Sequence, residues 1–576
     1  MAETLLSPGV LARENDQSFI TAQPLQAGAA ILGPTVKGPV VPSIVTSYSE
    51  YQNKYGTTVL SGSDYYTYFT SIAAYNYFQN GGDSLLVGRV TNGTYTSATS
   101  TLIPTGSGGP TTGLSPFTLE TLSKGTIMNN SGSETSGNAL TSGSADNIRW
   151  EIVNPNTASG TFSLLIRKGN DTLNSKTVLE TWTNLSLDPK SSNYISRVIG
   201  DQTQNIATDG TTYYVQTSGS YGVGSAYVRV SAVNYQTPDY FDNTGTAKPQ
   251  FTGSLPAASS GSFAGATGTP FTTRTAKFYE QSGLTANADS QGVTGSDYTT
   301  MLALLANKDE YQYNVISMPG LNRVSAASQI SSVVSNAQSR GDNLAVVDMV
   351  PYGSAIATVS TNALAMDTSY GATYWPWVQT GDPDLGTNVW VPASTLIPAV
   401  FAFNDNSSEA WFAPAGFNRG GLSTAIRAER KLTQGDRDTL YQGNINPIAT
   451  FPNQGVVVFG QKTLQKKASA LDRVNVRRLL IQLKSYISQI ANNLVFEQNT
   501  IATRNSFLAQ VNPYLTSVQQ RQGLYAFKVV MDDSNNTADV IDRNQLVGQI
   551  YLQPTKTAEF IYLDFNLQPT GATFPA

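Results

Sequence analysis

The chain of 576 residues contains neither cysteine nor histidine. Without cysteine there can be no disulfide, no thiolate nucleophile and no cysteine-bound zinc or iron–sulfur centre. Without histidine, the Ser-His-Asp and Cys-His mechanisms and all imidazole metal sites are excluded as well. These two absences remove most catalytic routes, and we predict a protein that is not an enzyme and carries no cofactor or metal.

Charged residues are also scarce, at 13% of the chain, with a formal net charge of -5. A nucleic-acid-binding protein needs a basic surface, so this balance argues against such a partner. No apolar run reaches the ~18 residues of a membrane span, and residues 1–17 lack the pattern of a secretory signal. Because 40% of the residues are hydrophobic, folded cores are expected, and we predict a soluble protein without membrane insertion.

Two segments come close to ligand-binding motifs but miss required residues. Residues 455–463 resemble a phosphate-binding loop, but Gln461 stands where the lysine should directly follow the second glycine. Residues 532–537 resemble a calcium loop without its central glycine, and Asn544 replaces the closing glutamate. An enzyme that uses only carboxylates, such as a glycosidase, is compatible with the composition, but no spacing nominates a pair.

The hydrophobic pattern changes twice along the chain. Apolar strands at residues 29–33 and 85–90 flank a helix predicted over 64–78, and this alternation resumes near residue 301. The stretch between residue 90 and residue 301 is rich in Ser, Thr and Gly and shows only strand patterns. We predict a multidomain α/β and α+β fold, in which an α/β core sheet is interrupted by mainly β insertion domains.

The C-terminal residues 559–567 form a strongly apolar strand pattern. Ile561, Leu563, Phe565 and Leu567 alternate on one face. An exposed edge of this kind promotes aggregation, so the strand is expected either to pair within its own sheet or to be donated to a neighbour. Donation would indicate assembly rather than catalysis.

The helix predicted over residues 475–495 has one apolar stripe and a basic flank. Arg477, Arg478 and Lys484 lie off the stripe, and Arg473 precedes it. Two interpretations remain open for these cations. They form either the solvated side of a core helix or an electrostatic contact with an acidic partner.

Several short strings occur in a fixed order along the chain. They include Ser7-Pro8-Gly9-Val10, Tyr77-Phe78-Gln79-Asn80-Gly81-Gly82, Tyr374-Trp375-Pro376-Trp377, Trp411-Phe412-Ala413-Pro414-Ala415-Gly416, Gly460-Gln461-Lys462-Thr463-Leu464, Val474-Asn475-Val476-Arg477-Arg478-Leu479 and Ala558-Glu559-Phe560-Ile561. In this order the strings resemble the tail sheath proteins of contractile-tailed bacteriophages. The resemblance covers residues 25–90 and 340–567 best and is absent from the Gly/Ser/Thr-rich stretches.

The resemblance implies a domain plan with N- and C-terminal strand-exchange arms. Its parts are an N-terminal arm (1–24), a discontinuous α/β core domain (25–94 and 341–454), an outer β insertion domain (95–200), a second insertion domain (201–340), an inner C-terminal sheath domain (455–557) and a C-terminal arm (558–576). The implied inter-subunit arm residues are Pro8, Gly9, Val10, Phe560, Ile561, Leu563 and Phe565. The implied tube-facing basic residues are Arg473, Arg477, Arg478 and Lys484.

The resemblance also implies a structural function. Such a subunit assembles as stacked hexameric rings around a tail tube and contracts to drive the tube through the host envelope during genome delivery. Its partners would be further copies of itself, the tail tube protein, and baseplate and tail terminator or neck proteins. It would reside in the virion and, during assembly, in the host cytoplasm. The alternatives are the sheath of a tailocin or other contractile injection system and, from a different class, a tail adhesin or receptor-binding protein.

Overall fold

The structure is a computed structural model that describes residues 25–562, except 62–63, 108, 110–112, 131–138, 211 and 270–290. Pro8, Gly9, Val10, Leu563 and Phe565 lie outside the described residues. The predicted role of these five residues in arm strands therefore stays a prediction.

A six-stranded sheet forms the centre of the molecule. Its strand order is Gly371–Ala372, Leu344–Asp348, Val315–Asn322, Ala29–Gly33, Leu85–Arg89 and Ser43–Val45. The first five strands are parallel and only the last is antiparallel to its neighbour. The longer strands are buried along their whole length, as expected for a parallel sheet covered on both faces. The predicted α/β core sheet is confirmed.

Helices cover both faces of this core sheet. Because successive side chains of a strand point to opposite faces, Ile31 and Val87 join one apolar cluster while Leu32 and Leu86 join the other. Residues of the helices Tyr48–Tyr55, Phe69–Gln79 and Ile397–Ser407 belong to the first cluster. Residues of the helices Thr299–Leu304, Ala327–Arg340, Ile356–Leu364 and Gln434–Gln442 belong to the second.

The strand Val315–Asn322 requires a correction to the predicted domain plan. It lies between Leu344–Asp348 and Ala29–Gly33, inside the core sheet. The predicted second insertion domain ran to residue 340, but the chain has already returned to the core before that point. The physical reason is that this strand is buried at every position, which only a central strand of a covered sheet requires.

The insertion between the two parts of the core is mainly β, as predicted, but the predicted division into two domains at residue 200 is wrong, because strands from both sides of that boundary pair in the same sheets. One antiparallel sheet contains Val178–Ser186, Thr161–Lys168, Ile148–Asn156 and Ser259–Gly261, and a second contains Val228–Val233, Phe117–Lys124, Ser97–Ser100 and Phe263–Ala264. Both sheets contribute to one apolar core, in which the rings of Phe117 and Phe162 stack with centroids 5.4 Å apart. The hairpin Thr203–Thr208/Tyr213–Ser218 and the short helix Ile195–Ile199 complete this region.

The C-terminal part has a separate small core. The helices Val474–Asn492 and Ile501–Gln520 pack together with the hairpin Leu524–Val530/Gln549–Pro554. Trp411, from outside this part, enters its core and donates from Nε1 to the backbone oxygen of Arg521 at 3.0 Å. The helix predicted over 475–495 is thereby confirmed, and its apolar stripe packs against the second helix.

Short elements complete the described chain. The strands are Leu25–Ala27, Val59–Ser61, Asp64–Tyr66, Tyr311–Tyr313, Tyr374–Trp375, Val378–Gly381, Asn388–Val391, Ala425–Ala428, Asn446–Phe451 and Gly455–Val458. The helices are Pro249–Thr252 and Ala538–Asp542, and the 3-10 turns are Thr126–Met128, Gly295–Tyr298, Ala393–Thr395 and Ala470–Asp472. Throughout the described ranges, every helix is too short or too polar to cross a bilayer.

Candidate assembly interface

The C-terminal segment leaves the fold as an exposed apolar tail. Residues 555–562 follow the last strand of the hairpin and have no regular secondary structure. Phe560, Ile561 and Tyr562 expose 68%, 75% and 89% of their surface. The strand predicted over 559–567 therefore has no pairing partner for its described part, 559–562, among the described residues of the same chain.

Glu559 fixes the base of this tail. Arg473 Nε donates to Glu559 Oε1 at 2.7 Å, and Gln461 Nε2 donates to the same oxygen at 3.0 Å. The Tyr441 hydroxyl donates to Glu559 Oε2. Gln461 Nε2 also donates to Thr557 Oγ1 at 2.6 Å. We call Tyr441, Gln461, Arg473 and Glu559 the Glu559 anchor; it holds the chain directly before the exposed apolar residues.

The electrostatics of the Glu559 anchor keep it in this hydrogen-bonding state. Burial and the hydrogen bond to Glu559 raise the pKa of the Tyr441 phenol, so the hydroxyl retains its proton and acts as a donor. The Lys462 ammonium lies 4.2 Å from the centre of the Tyr441 ring. Burial lowers the pKa of Lys462. The Glu559 side chain is only 18% exposed, which strengthens its charge-assisted bond to Arg473.

The structure assigns different positions to the four basic residues predicted to face a tube. Arg473 belongs to the Glu559 anchor and also pairs with Asp472 at 3.1 Å. Lys484 is exposed, with Nζ 3.2 Å from the Tyr370 hydroxyl. In contrast to Lys484, Arg477 and Arg478 are buried, with only 3% and 5% of their surfaces exposed.

Arg477 and Arg478 are held by contacts inside the chain. The Arg477 guanidinium lies 4.0 Å from the centre of the Tyr370 ring and donates to Ser369 Oγ. Arg478 donates to Asp405 Oδ2 at 2.5 Å and lies 4.5 Å from the centre of the Phe401 ring. Neither residue is on a solvated flank, so this part of the prediction is wrong. The reason is that aromatic faces and a carboxylate accommodate both guanidinium groups where the helix begins.

The hairpin beside the tail is an incomplete sheet. Leu524–Val530 and Gln549–Pro554 pair only with each other within the part of the chain that the structure describes. Tyr525 and Tyr551 are 65% and 57% exposed. A two-stranded sheet is marginally stable alone, and its open edges are ready to pair with a further strand.

The role of the Glu559 anchor was missed in the sequence. Gln461 and Glu559 both occur in the strings that carry the family resemblance, but neither was given a function. A glutamate directly before the apolar run at 560–563 was the only local signal. Its three partners come from positions 86 to 118 residues earlier in the chain, and no local pattern brings them together.

Comparisons with known proteins all point to tail sheath proteins. Residues 291–464 match a family model described as the phage tail sheath protein central domain, and residues 466–568 match one for the phage tail sheath C-terminal domain. The chain is 42% identical over 216 residues to the tail sheath protein of Vibrio phage KVP40, covering 38% of this chain and 31% of that protein. It is 36% identical over 230 residues to the tail sheath protein of Enterobacteria phage T4, covering 40% and 35%.

These two curated relatives are matched over less than two thirds of their own length. A crystal structure of a sheath tail protein from Listeria innocua shares the fold with a TM-score of 0.52 at 13% identity, covering 92% of this chain and 95% of that chain. The matched proteins are structural, and the prediction that the chain is not an enzyme is confirmed. Residues 291–568 of the chain therefore carry the central and C-terminal domains of the contractile phage tail sheath protein family.

Proposed function

We propose that this chain is the repeating subunit of a contractile tail sheath, joined to its neighbours by donated strands. Stacked hexameric rings would enclose the tail tube in a metastable extended state and contract to drive the tube through the host envelope during genome delivery. The observation that carries this proposal is the apolar tail at 560–562, which is fixed at its base and unpaired within the described chain.

Strand donation satisfies two open requirements of the fold at once. The tail needs a partner for its backbone and apolar face, and the hairpin Leu524–Val530/Gln549–Pro554 has unpaired edges. A tail added to the hairpin of another copy would give affinity through main-chain hydrogen bonds and register through alternate side chains. Each bond contributes only about 0.5–1.5 kcal/mol, but many bonds on arms exchanged between several subunits act together.

The wider assembly follows from this proposal. The partners would be further copies of the chain, the tail tube protein, and baseplate and tail terminator or neck proteins. The protein would be part of the virion after assembly in the host cytoplasm. We retain the two arms, the core and the inner C-terminal domain of the domain plan as part of the proposal. The boundary at residue 200 and the extension of the insertion to residue 340 are not retained, because strands from both sides of residue 200 share two sheets and one core, and the strand Val315–Asn322 lies in the core sheet. Matches to sheath domains over 291–568 favour this function over that of a tail adhesin.

The test is negative-stain electron microscopy of purified full-length chain beside single variants of the tail. Ile561→Asp places a charge on the apolar face of the predicted strand, whereas Tyr562→Asp places the same charge on the opposite face. Both residues are exposed in the isolated chain, so neither change disturbs its fold. We expect tubes from the full chain and from Tyr562→Asp, and dispersed subunits from Ile561→Asp and from a chain truncated before Ala558.

A chain truncated after residue 567 is the matched control, because it retains the whole predicted strand and should still form tubes. Tubes of normal length from the chain truncated before Ala558 would overturn strand donation by this tail. Dispersed subunits from every sample, even with tube protein added as a template, would overturn the sheath proposal itself.

We propose further that the contact with the tube is ionic and includes Lys484, the exposed member of the four predicted cations. Exposed ion pairs contribute about 0–1 kcal/mol each, which suits a surface that must release the tube. Lys484→Glu should weaken co-sedimentation with tube protein at low salt without lowering the melting temperature. Lys190→Glu, on the insertion, is the control; equal binding by both variants would exclude Lys484 from the contact.

A further inference from the structure

A cleft of about 330 Å³ lies where the β insertion meets the core. The core side of the cleft is formed by residues 39–43 and by Lys54 near the end of the helix Tyr48–Tyr55. The insertion side is formed by the strand Phe117–Lys124, residues 202–204 and Arg229. The cleft is thus built from two regions that are far apart in the sequence and does not overlap the Glu559 anchor.

Three cations line this junction cleft in a chain whose net charge is -5. Arg229 is paired with Glu120 and also donates to the backbone oxygen of Asp201 at 3.0 Å. Lys124 Nζ donates only to a neutral group, Asn205 Oδ1, at 2.9 Å. Among the described residues, the Lys54 ammonium has no partner for a hydrogen bond or an ion pair. The two lysines therefore enter the cleft without a neutralising carboxylate in contact.

A fourth cation lies directly behind the wall of the cleft. Arg89 is 2% exposed and donates to the backbone oxygens of Gly38 at 2.5 Å and of Lys124 at 2.8 Å. Its Nε and Nη2 atoms are buried without a hydrogen-bond partner among the described residues. Gly38 directly precedes the residues that line the core side, so the charge of Arg89 adds to that of the two lysines.

The local environment disfavours this concentration of positive charge. Burial lowers the pKa of Lys54, and the nearby Glu50 opposes this only in part. Burial also lowers the pKa of Lys124; the negative charge of Glu120 opposes this in part, while the positive charges of Arg229 and Arg89 lower it further. A bound anion would offset both the repulsion between the cations and the cost of their burial, so the cleft is electrostatically suited to a negative ligand.

The rest of the lining fits a ligand that also carries hydroxyl groups. The side chains of Ser97, Ser123 and Gln204 line the cleft and form no hydrogen bond inside the described chain. Pro39, Val40 and Pro42 provide an apolar wall. A few free polar groups beside an apolar surface are typical of small-molecule sites, and the volume lies at the small end of their range of about 300–1,000 Å³.

We propose that the junction cleft binds a small oxyanion ligand of the size of a sugar phosphate, whose phosphate or carboxylate group pairs with Lys54 and Lys124. The hydroxyl groups of the ligand would meet Ser97, Ser123 and Gln204, and its apolar face would lie on the proline-rich wall. Because the two lysines come from the core and from the insertion, the ligand connects both regions. This inference is independent of strand donation.

The test is thermal unfolding of the full-length chain with added glucose 6-phosphate, inorganic phosphate or glucose, at constant ionic strength maintained with sodium chloride. We expect a saturable rise in melting temperature with glucose 6-phosphate, a smaller rise with phosphate and none with glucose. Lys54→Gln/Lys124→Gln should raise the half-saturating concentration at least tenfold. Lys466→Gln/Lys467→Gln removes the same charge from exposed positions and should respond like the unaltered chain.

Equal rises in all three proteins, or no saturable rise in the unaltered chain, would overturn the proposal. A second measurement uses only the unaltered chain and therefore does not depend on whether a variant folds. Acetylation of lysines in the unaltered chain is followed by mass spectrometry, with and without glucose 6-phosphate. We expect Lys54 and Lys124 to be protected at least fivefold while Lys466 and Lys467 are unaffected; equal labelling with and without ligand would contradict the site.

Discussion

Asp171→Asn is expected to destabilise the β insertion by about 3–5 kcal/mol, because it removes the buried partner of an arginine. Asp171 Oδ2 accepts from Arg167 Nε and Oδ1 accepts from Arg167 Nη2, each at 2.8 Å. The two side chains are 1% exposed. Asparagine keeps the shape but has no charge, and its amide presents hydrogens to the guanidinium, so Arg167 loses one arm of a bidentate pair.

Neighbouring groups increase the expected effect of Asp171→Asn. Asp171 Oδ2 also accepts from the backbone N–H of Thr177 at 2.9 Å, and Arg149 Nη1 lies 3.7 Å from Oδ1. The carboxylate thus fixes a loop and balances positive charge in the same place. Glu151, which accepts from Arg167 Nη1 at 2.8 Å and from Lys176 Nζ at 2.7 Å, is already shared and cannot take over.

Hydrogen exchange read amide by amide is the suitable measurement, because a chain with several cores does not unfold in one step. The opening free energy of Ile148–Asn156 and Thr161–Lys168 should fall in Asp171→Asn, while that of Leu344–Asp348 stays unchanged. Asp239→Asn, in the exposed pair with Lys190, is the matched control and should leave exchange unaltered. Equal exchange in both variants would show that the buried pair contributes little.

Asp348 is expected to make the stability of the core depend on pH. It ends the strand Leu344–Asp348 and is 4% exposed. Its Oδ2 accepts from Ser394 Oγ at 2.5 Å and Oδ1 accepts from the Ser394 N–H at 3.2 Å. Burial raises the pKa of Asp348 to about 7, since these two hydrogen bonds do not compensate for the lost hydration of the charge.

The sign of the effect follows from the direction of the pKa change. The folded state binds the proton more tightly than the unfolded chain, where the carboxyl titrates near 3.8. The stabilisation is therefore complete below about pH 4 and is lost as the pH rises through about 7. At 1.36 kcal/mol per pH unit, the difference between these limits amounts to roughly 4 kcal/mol.

Asp348→Asn should remove most of this pH dependence and should make the core more stable than the unaltered chain at pH 8. The measurement is the opening free energy of the Leu344–Asp348 amides at pH 5 and pH 8, corrected for intrinsic exchange rates. Asp309→Asn, at an exposed position, should retain the slope of the unaltered chain. If the opening free energy of Asp348→Asn changed between pH 5 and pH 8 as much as that of the unaltered chain, the pH dependence would come from other groups.

The parts of the fold that the sequence predicted correctly are those with a strong local pattern. The apolar runs at 29–33, 85–90 and 344–350 became central strands because a covered parallel sheet needs such runs. The helix predicted over 64–78 was wrong at its start: Asp64–Tyr66 forms a strand with Val59–Ser61, and the helix begins at Phe69. Tyrosine favours strands as well as buried helices, so local propensity did not resolve the boundary.

The candidate interface was only partly predictable for a different reason. Alternation in 559–567 identified an apolar tail, but nothing near Glu559 indicates that Tyr441, Gln461 and Arg473 converge on it. In the same way, helical periodicity located Arg477 and Arg478 off the apolar stripe, but it contained no information about Tyr370 and Phe401. A side chain that is buried by distant residues cannot be distinguished from an exposed one by its own helix.

The Glu559 anchor also determines where a mechanical load would enter the molecule. A pull on residues beyond 560 reaches Arg473 and Gln461 before it can reach the two-stranded hairpin. Arg473 directly precedes the helix Val474–Asn492, and Gln461 follows the strand Gly455–Val458, so the force would pass into this helix and into the three-stranded sheet that contains that strand. The two-stranded hairpin of the C-terminal part would therefore bear little tension when a neighbouring subunit pulls on the tail.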